Sequence, residues 1–183
     1  MDPNVVTEAE QVAVTVGNPV VELALATFVL VPIIVIHGWC LGKASRFFAG
    51  HFALYTPHTP RWRVSILTGI TIAVLVIIHL VETLLWTIPL IQLGILQNFR
   101  DAYYYVLEAY TTLGEGNMIL PSNWRLVGPV IAISGLFTFG WTASILVYIM
   151  GESGKLNAAR SRLAAKGLGK AEAKAESEHP PQA

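Results

Sequence analysis

Residues 109–121 read AYTTLGEGNMILP. Two threonines run into a Gly-Glu-Gly triplet, with apolar stretches on both sides. Glycine frees the backbone to take positive φ. Non-helical backbone at membrane depth persists only where it is buried in protein or lines a watery cavity. Whether this stretch sits at membrane depth therefore governs the fold.

The surrounding chain places it there. Of 183 residues, 54% are hydrophobic and only 13% charged, about half the charged share of a soluble domain. The formal net charge is zero, so no basic field points to nucleic acid. The single cysteine, Cys40, can form no intrachain disulfide and reads as a small buried hydrophobe beside Trp39. Nothing in the composition points to an enzyme or a cofactor.

A spanning helix needs about 20 mostly apolar residues. Three runs meet that length: residues 21–42, 64–89 and 127–150. Residues 99–111, NFRDAYYYVLEAYTT with its flanks, are helix-compatible, aromatic and too short to span. The leader, 1–20, is acidic and has no lysine or arginine. The 43–63 loop carries Lys43, Arg46, Arg61 and Arg63, and the 151–183 tail carries Lys155, Arg160, Arg162, Lys166, Lys170 and Lys174. The positive-inside rule puts the leader outside, and the 43–63 loop and the tail inside, an inner (plasma) membrane. Trp39 and Trp62 then fall at the inner interface, and Trp86 and Trp124 at the outer one. The tail reads as partly helical and then disordered, with its basic first half suited to anionic lipid. The expectation is an all-α membrane protein with three transmembrane helices per subunit and a half-length helix and loop on the outer side.

A helix that enters halfway and returns as glycine-bearing strand can turn its carbonyls toward a cavity. The helix also aims its partly negative C-terminal end at a cation there. On those residues, TTLGEG resembles the potassium-channel filter signature, TVGYG in its common form. The resemblance to the small two-helix bacterial potassium channels runs from about residue 104 to 150. Trp124 and Arg125 match outer-mouth positions. Gly135 matches the hinge glycine of the inner helix, and Phe139 and Gly140 match a Phe-Gly pair below it. The resemblance implies a pore domain over 64–150: outer helix 64–89, pore helix 99–111, filter 111–117 and inner helix 127–150. It implies a homotetramer whose filter is built from Thr111, Thr112, Leu113, Gly114, Glu115 and Gly116, supported by Glu108 and Asn117. Gly135, Phe139, Gly140, Ser144 and Tyr148 would serve the inner helix and gate. The additional first helix lies outside that pattern and is expected at the periphery, against the outer helix.

Glu115 stands where those channels carry an aromatic residue, and Asn117 where they carry aspartate. The string TTLGEGN is similar to the filters of bacterial sodium–potassium non-selective channels and of cyclic-nucleotide-gated channels. That similarity implies conduction of potassium and sodium, with no cofactor beyond ions on the pore axis. Four Glu115 carboxylates on one axis would repel each other and attract cations, calcium or another divalent ion included. Alternatively, Glu115 turns into the protein and accepts hydrogen bonds from filter amides. Glu108 and Glu115 could also share a proton and make conduction pH-sensitive. Other functions stay open: a divalent-permeable channel, or a non-conducting accessory assembly that keeps the pore fold.

Ionisable residues inside spans are functional candidates by default. His79 and Glu82, three apart on one helix face, are expected to pair with each other or with the pore helix. His37 is placed near the inner end of its helix and His79 past the middle of its own, which argues against a shared metal or haem. His51 and His58 offer no better ligands.

Overall fold

The computed structural model describes residues 18–114, 116 and 118–178, with side chains as far as residue 170. Every regular element among them is helical: α1 (Pro19–Phe52), α2 (Arg61–Gln92), α3 (Phe99–Tyr110), a 3₁₀ turn (Ser122–Trp124) and α4 (Val127–Glu178). Three of the helices are long and apolar enough to cross a membrane, so the chain is an all-helical protein of membrane-spanning type.

Local chemistry sets the helix starts. The Asn18 side chain accepts a hydrogen bond from the Val20 amide, and Pro19 occupies the first helical position, where its missing N–H costs nothing. Asn98 caps α3 in the same way through the Arg100 amide. The starts of α1 and α3 are thus written in single residues.

The helix ends differ most from the sequence reading at two places. Residues 43–52, expected in a cytoplasmic loop, continue α1, and the connection shrinks to residues 53–60. Basic residues there do not break the helix, because long side chains lie along apolar surface: the Lys43 Nζ sits 4.1 Å from the Trp39 ring centroid. Residues 151–178, expected to pass from helix into disorder, continue α4 as one 52-residue helix. Its alanines, lysines and glutamates are strong helix formers. Residues 1–17 and 179–183, which include most of the leader and the end of the tail, lie outside the described residues.

The helices share one core. Ala26 and Ile33 of α1, Trp86 and Leu90 of α2, Val106 and Tyr110 of α3, and Val127, Val130 and Ile131 of α4 are buried together. The first helix packs on α2, as expected, and it packs as extensively on α4. Near its N-terminal end the buried Glu22 carboxylate accepts hydrogen bonds from the Leu126 and Val127 amides. Those amides open α4 and would otherwise lack partners, so α1 supplies the cap that α4 does not carry itself. Trp86 is likewise not an interfacial belt residue. It is 1% exposed, and its indole N–H donates to the Ser134 hydroxyl at 3.2 Å.

Candidate functional site

Two sites emerge, one on the surface of the chain and one inside it, and α3 belongs to both.

The first lies at the end of α3. The Thr112 amide donates to the Ala109 carbonyl (3.1 Å) and the Leu113 amide to the Glu108 carbonyl (2.9 Å). These two bonds form a Schellman motif, with Thr112 in the left-handed position that usually holds glycine. The φ of Thr112 is +58°, and Thr112 is the one non-glycine among the described residues with positive φ. A β-branched residue there is a true outlier. The end of α2 supplies the comparison, because Gly94 and Ile95 make the same pair of bonds to Ile91 and Leu90, with Gly94 at φ +68°. One helix ends on glycine; the other accepts strain to keep threonine.

From Thr112 to Gly114 the sign of φ alternates. Leu113 is negative, Gly114 is +61°, and Gly116 is +75°. In ordinary strand every φ is negative and successive carbonyls face opposite sides; positive φ at alternate residues departs from that pattern. Thr111, Thr112, Leu113, Gly114 and Gly116 are all exposed. Thr111 is anchored by its hydroxyl, which donates to the Leu107 carbonyl at 2.7 Å. Glu115 and Asn117 lie outside the described residues. Glu108 is buried beneath this segment, and its Oε1 has no hydrogen-bond partner among the described residues.

The inner-helix residues separate by role. A Cβ on Gly135 would fall 1.9 Å from the Tyr110 carbonyl oxygen, whereas one on Gly140 would meet nothing within 4 Å. Gly135 thus lets α4 touch the last residue of α3, and α4 runs unbroken through both glycines. Phe139 turns toward α2, stacking on His79 at 4.4 Å. Tyr148 meets the edge of Phe48 on α1 at 6.1 Å. The exposed Ser144 donates to the Trp141 carbonyl.

The second site is a polar cluster in the middle of the helices. Glu82 does meet His79 (3.6 Å) and α3, through the Tyr110 hydroxyl that donates to its Oε2 (2.6 Å). His37 also enters, its Nδ1 2.5 Å from Glu82 Oε1. The two imidazole centroids are 5.3 Å apart. The depth argument that kept these histidines apart is therefore overturned. It measured depth from the end of the apolar run, but α1 extends ten residues further, so His37 sits near the middle of α1 as His79 does in α2. From α4, the Thr142 hydroxyl lies 3.3 Å from His37 Nε2 and 3.1 Å from His79 Nε2. The Thr138 hydroxyl lies 2.6 Å from that of Tyr110. His37, Tyr110, Thr138 and Thr142 are the members that sequence reasoning missed. A signal existed in α4, where Ser134, Thr138 and Thr142 recur every four residues and form one buried polar stripe.

No family model, no curated protein and no solved structure matches the chain.

Proposed function

We propose that the chain is the subunit of a homotetrameric cation channel that passes potassium and sodium passively. Residues 111–116 would form the walls of its filter, and ions on the shared axis would be its only cofactors. The observation that carries this reading is positive φ at Thr112, Gly114 and Gly116, with Leu113 negative between the first two, on an exposed segment at the C-terminal end of a half-buried, half-length helix. Such a backbone can turn several carbonyls to one side. A single chain leaves that side open, and a closed ring of carbonyls needs copies around an axis. The α3 C-terminus adds its partial negative charge behind the ion.

Glu115 in place of the filter aromatic favours weak discrimination between monovalent cations, with divalent entry as an outcome to be tested. The lysine and arginine distribution orients the chain with its N-terminus outside and its C-terminus in the cytoplasm, the basic tail near anionic lipid. Gly140, Ser144 and Tyr148 are assigned to the lower inner helix by the resemblance. Gly135 and Phe139 hold α4 against α3 and α2.

The test is cation flux into liposomes containing the purified protein, under imposed potassium, sodium and calcium gradients. Potassium and sodium flux supports the reading. Potassium flux without sodium overturns non-selectivity, and no flux for any ion overturns the channel.

A further inference from the structure

We infer that His37, His79, Glu82 and Tyr110 form a binding site for a divalent transition-metal ion, zinc by the chemistry of its ligands, within the membrane-spanning part of the protomer. The inference stands apart from the conduction reading, because these side chains lie inside one chain and need no second copy, although Tyr110 directly precedes the exposed 111–116 segment.

Geometry is the first argument. One ligand atom from each of His37, His79 and Glu82 falls within 4.8 Å of the others. His79 Nδ1 is 2.9 Å from the Tyr110 hydroxyl, which is itself 2.6 Å from Glu82 Oε2. Two imidazoles, a carboxylate and a phenol from three helices thus converge on one point. Ligands around tetrahedral zinc stand roughly 3.3 Å apart at bond lengths near 2 Å, so side-chain shifts of about an ångström admit the ion. Two nitrogens with carboxylate oxygen suit zinc better than calcium or magnesium, which take oxygen.

Proton counting is the second, independent argument. The cluster contains six close contacts: His37–Glu82, Tyr110–Glu82, Tyr110–Thr138, His79–Tyr110 and one from each histidine to Thr142. Neutral imidazoles bring one proton each, and Tyr110, Thr138 and Thr142 one each. At most five protons serve six contacts, and Thr138 also has the Ser134 and Gly135 carbonyls as acceptors at 3.0 and 3.1 Å. With both imidazoles neutral, at least one contact therefore sets two lone pairs against each other beside a buried carboxylate. A cation at the centre removes that conflict.

Thr142 fits the outer shell of such a site. A hydroxyl oxygen has two acceptor lone pairs, and both Nε2 atoms face it. Accepting from both would hold each imidazole in the tautomer that bares Nδ1 toward the centre, the usual second-shell device for histidine ligands. An ion entering then displaces the Tyr110 hydroxyl proton, which leaves to solvent, while each imidazole keeps its one proton on Nε2.

The experiment titrates chelator-treated protein in detergent with Zn²⁺, and separately with Co²⁺ as a spectroscopic stand-in. Wild type is compared with Glu82→Gln and Thr142→Val; His51 and His58 are present in all three, so binding there cancels. The expected result is one extra ion per chain in wild type. Affinity falls more than 100-fold in Glu82→Gln and 10- to 100-fold in Thr142→Val. Wild-type Co²⁺ should give the intense visible absorption of a four-coordinate site, and its Tm should rise with Zn²⁺. If Glu82→Gln does not fold, the wild-type spectrum and Thr142→Val still give the answer. Equal zinc binding by all folded variants, or a Co²⁺ spectrum no different from the hydrated ion, overturns the site and leaves the cluster held by extra protons.

Discussion

Replacing Gly135 with alanine separates a spacer from a hinge. The added Cβ would fall 1.9 Å from the Tyr110 carbonyl oxygen and 2.9 Å from its carbon. Ordinary contact begins near 3.4 Å, so α3 and α4 must part by about 1.5 Å. The obstacle is backbone, and Tyr110 is pinned at its other end by the polar cluster. Neither side can yield by rotating a side chain. Overpacking of this kind costs about 1–3 kcal/mol, and the upper end applies here. Alanine returns about 1 kcal/mol of helix propensity, leaving a loss of about 2 kcal/mol per chain. Gly140→Ala is the internal control. Nothing lies within 4 Å of its added Cβ, so it should gain about 1 kcal/mol. The assay is thermal or denaturant unfolding of both variants in one detergent, followed by helicity and by tryptophan fluorescence. The variants should differ by about 3 kcal/mol in opposite directions from wild type. Equal stabilities would refute the close contact and leave Gly135 as a hinge alone. Since Tyr110 precedes the exposed segment, Gly135→Ala should also change ion flux.

Other perturbations reach different joints. Glu22→Ala removes the carboxylate that caps α4, and hydrogen bonds to charged groups contribute about 1.5–3 kcal/mol; unfolding should show a loss of that order, with Glu22→Gln losing less. Thr112→Gly relieves a left-handed strain of about 1–2 kcal/mol and adds about 0.5–1 kcal/mol of chain entropy cost. Stability should stay within about 1 kcal/mol of wild type while flux falls; unchanged flux would remove Thr112 from the ion path. Arg160→Ala breaks bonds from its guanidinium to the Pro57 and Thr59 carbonyls. Limited proteolysis within residues 53–60 should accelerate, and an unchanged rate would show that α4 does not hold this loop.

The three spans were legible because each is a run of apolar residues as long as a bilayer is thick. Their true lengths were not, because Lys43, Arg46 and the charged tail read as loop or disorder although none of those residues breaks a helix. That error in length moved His37 to a helix end and hid the cluster. The missing partners of His79 and Glu82 were nonetheless implied, since a buried carboxylate needs several hydrogen bonds. Glu22 illustrates a different limit. Its partners are backbone amides 104 and 105 residues away, and no local pattern announces them. The left-handed Thr112 was also illegible, because threonine is a poor residue for that conformation and only the Schellman pair around it reveals the need. Trp86 was misassigned to an interface because a tryptophan near the end of an apolar run reads as belt, while its buried partner, Ser134, lies on another helix.

The central claim is that residues 111–116 of several chains face one ion-bearing axis. A map of the purified assembly in potassium solution, at a resolution that shows carbonyls, tests it most directly. The account predicts fourfold symmetry, with ion density on the axis flanked by the carbonyls of Thr112, Leu113 and Gly114 from each chain. An assembly that points this segment away from its symmetry axis, or a monomer, would contradict it.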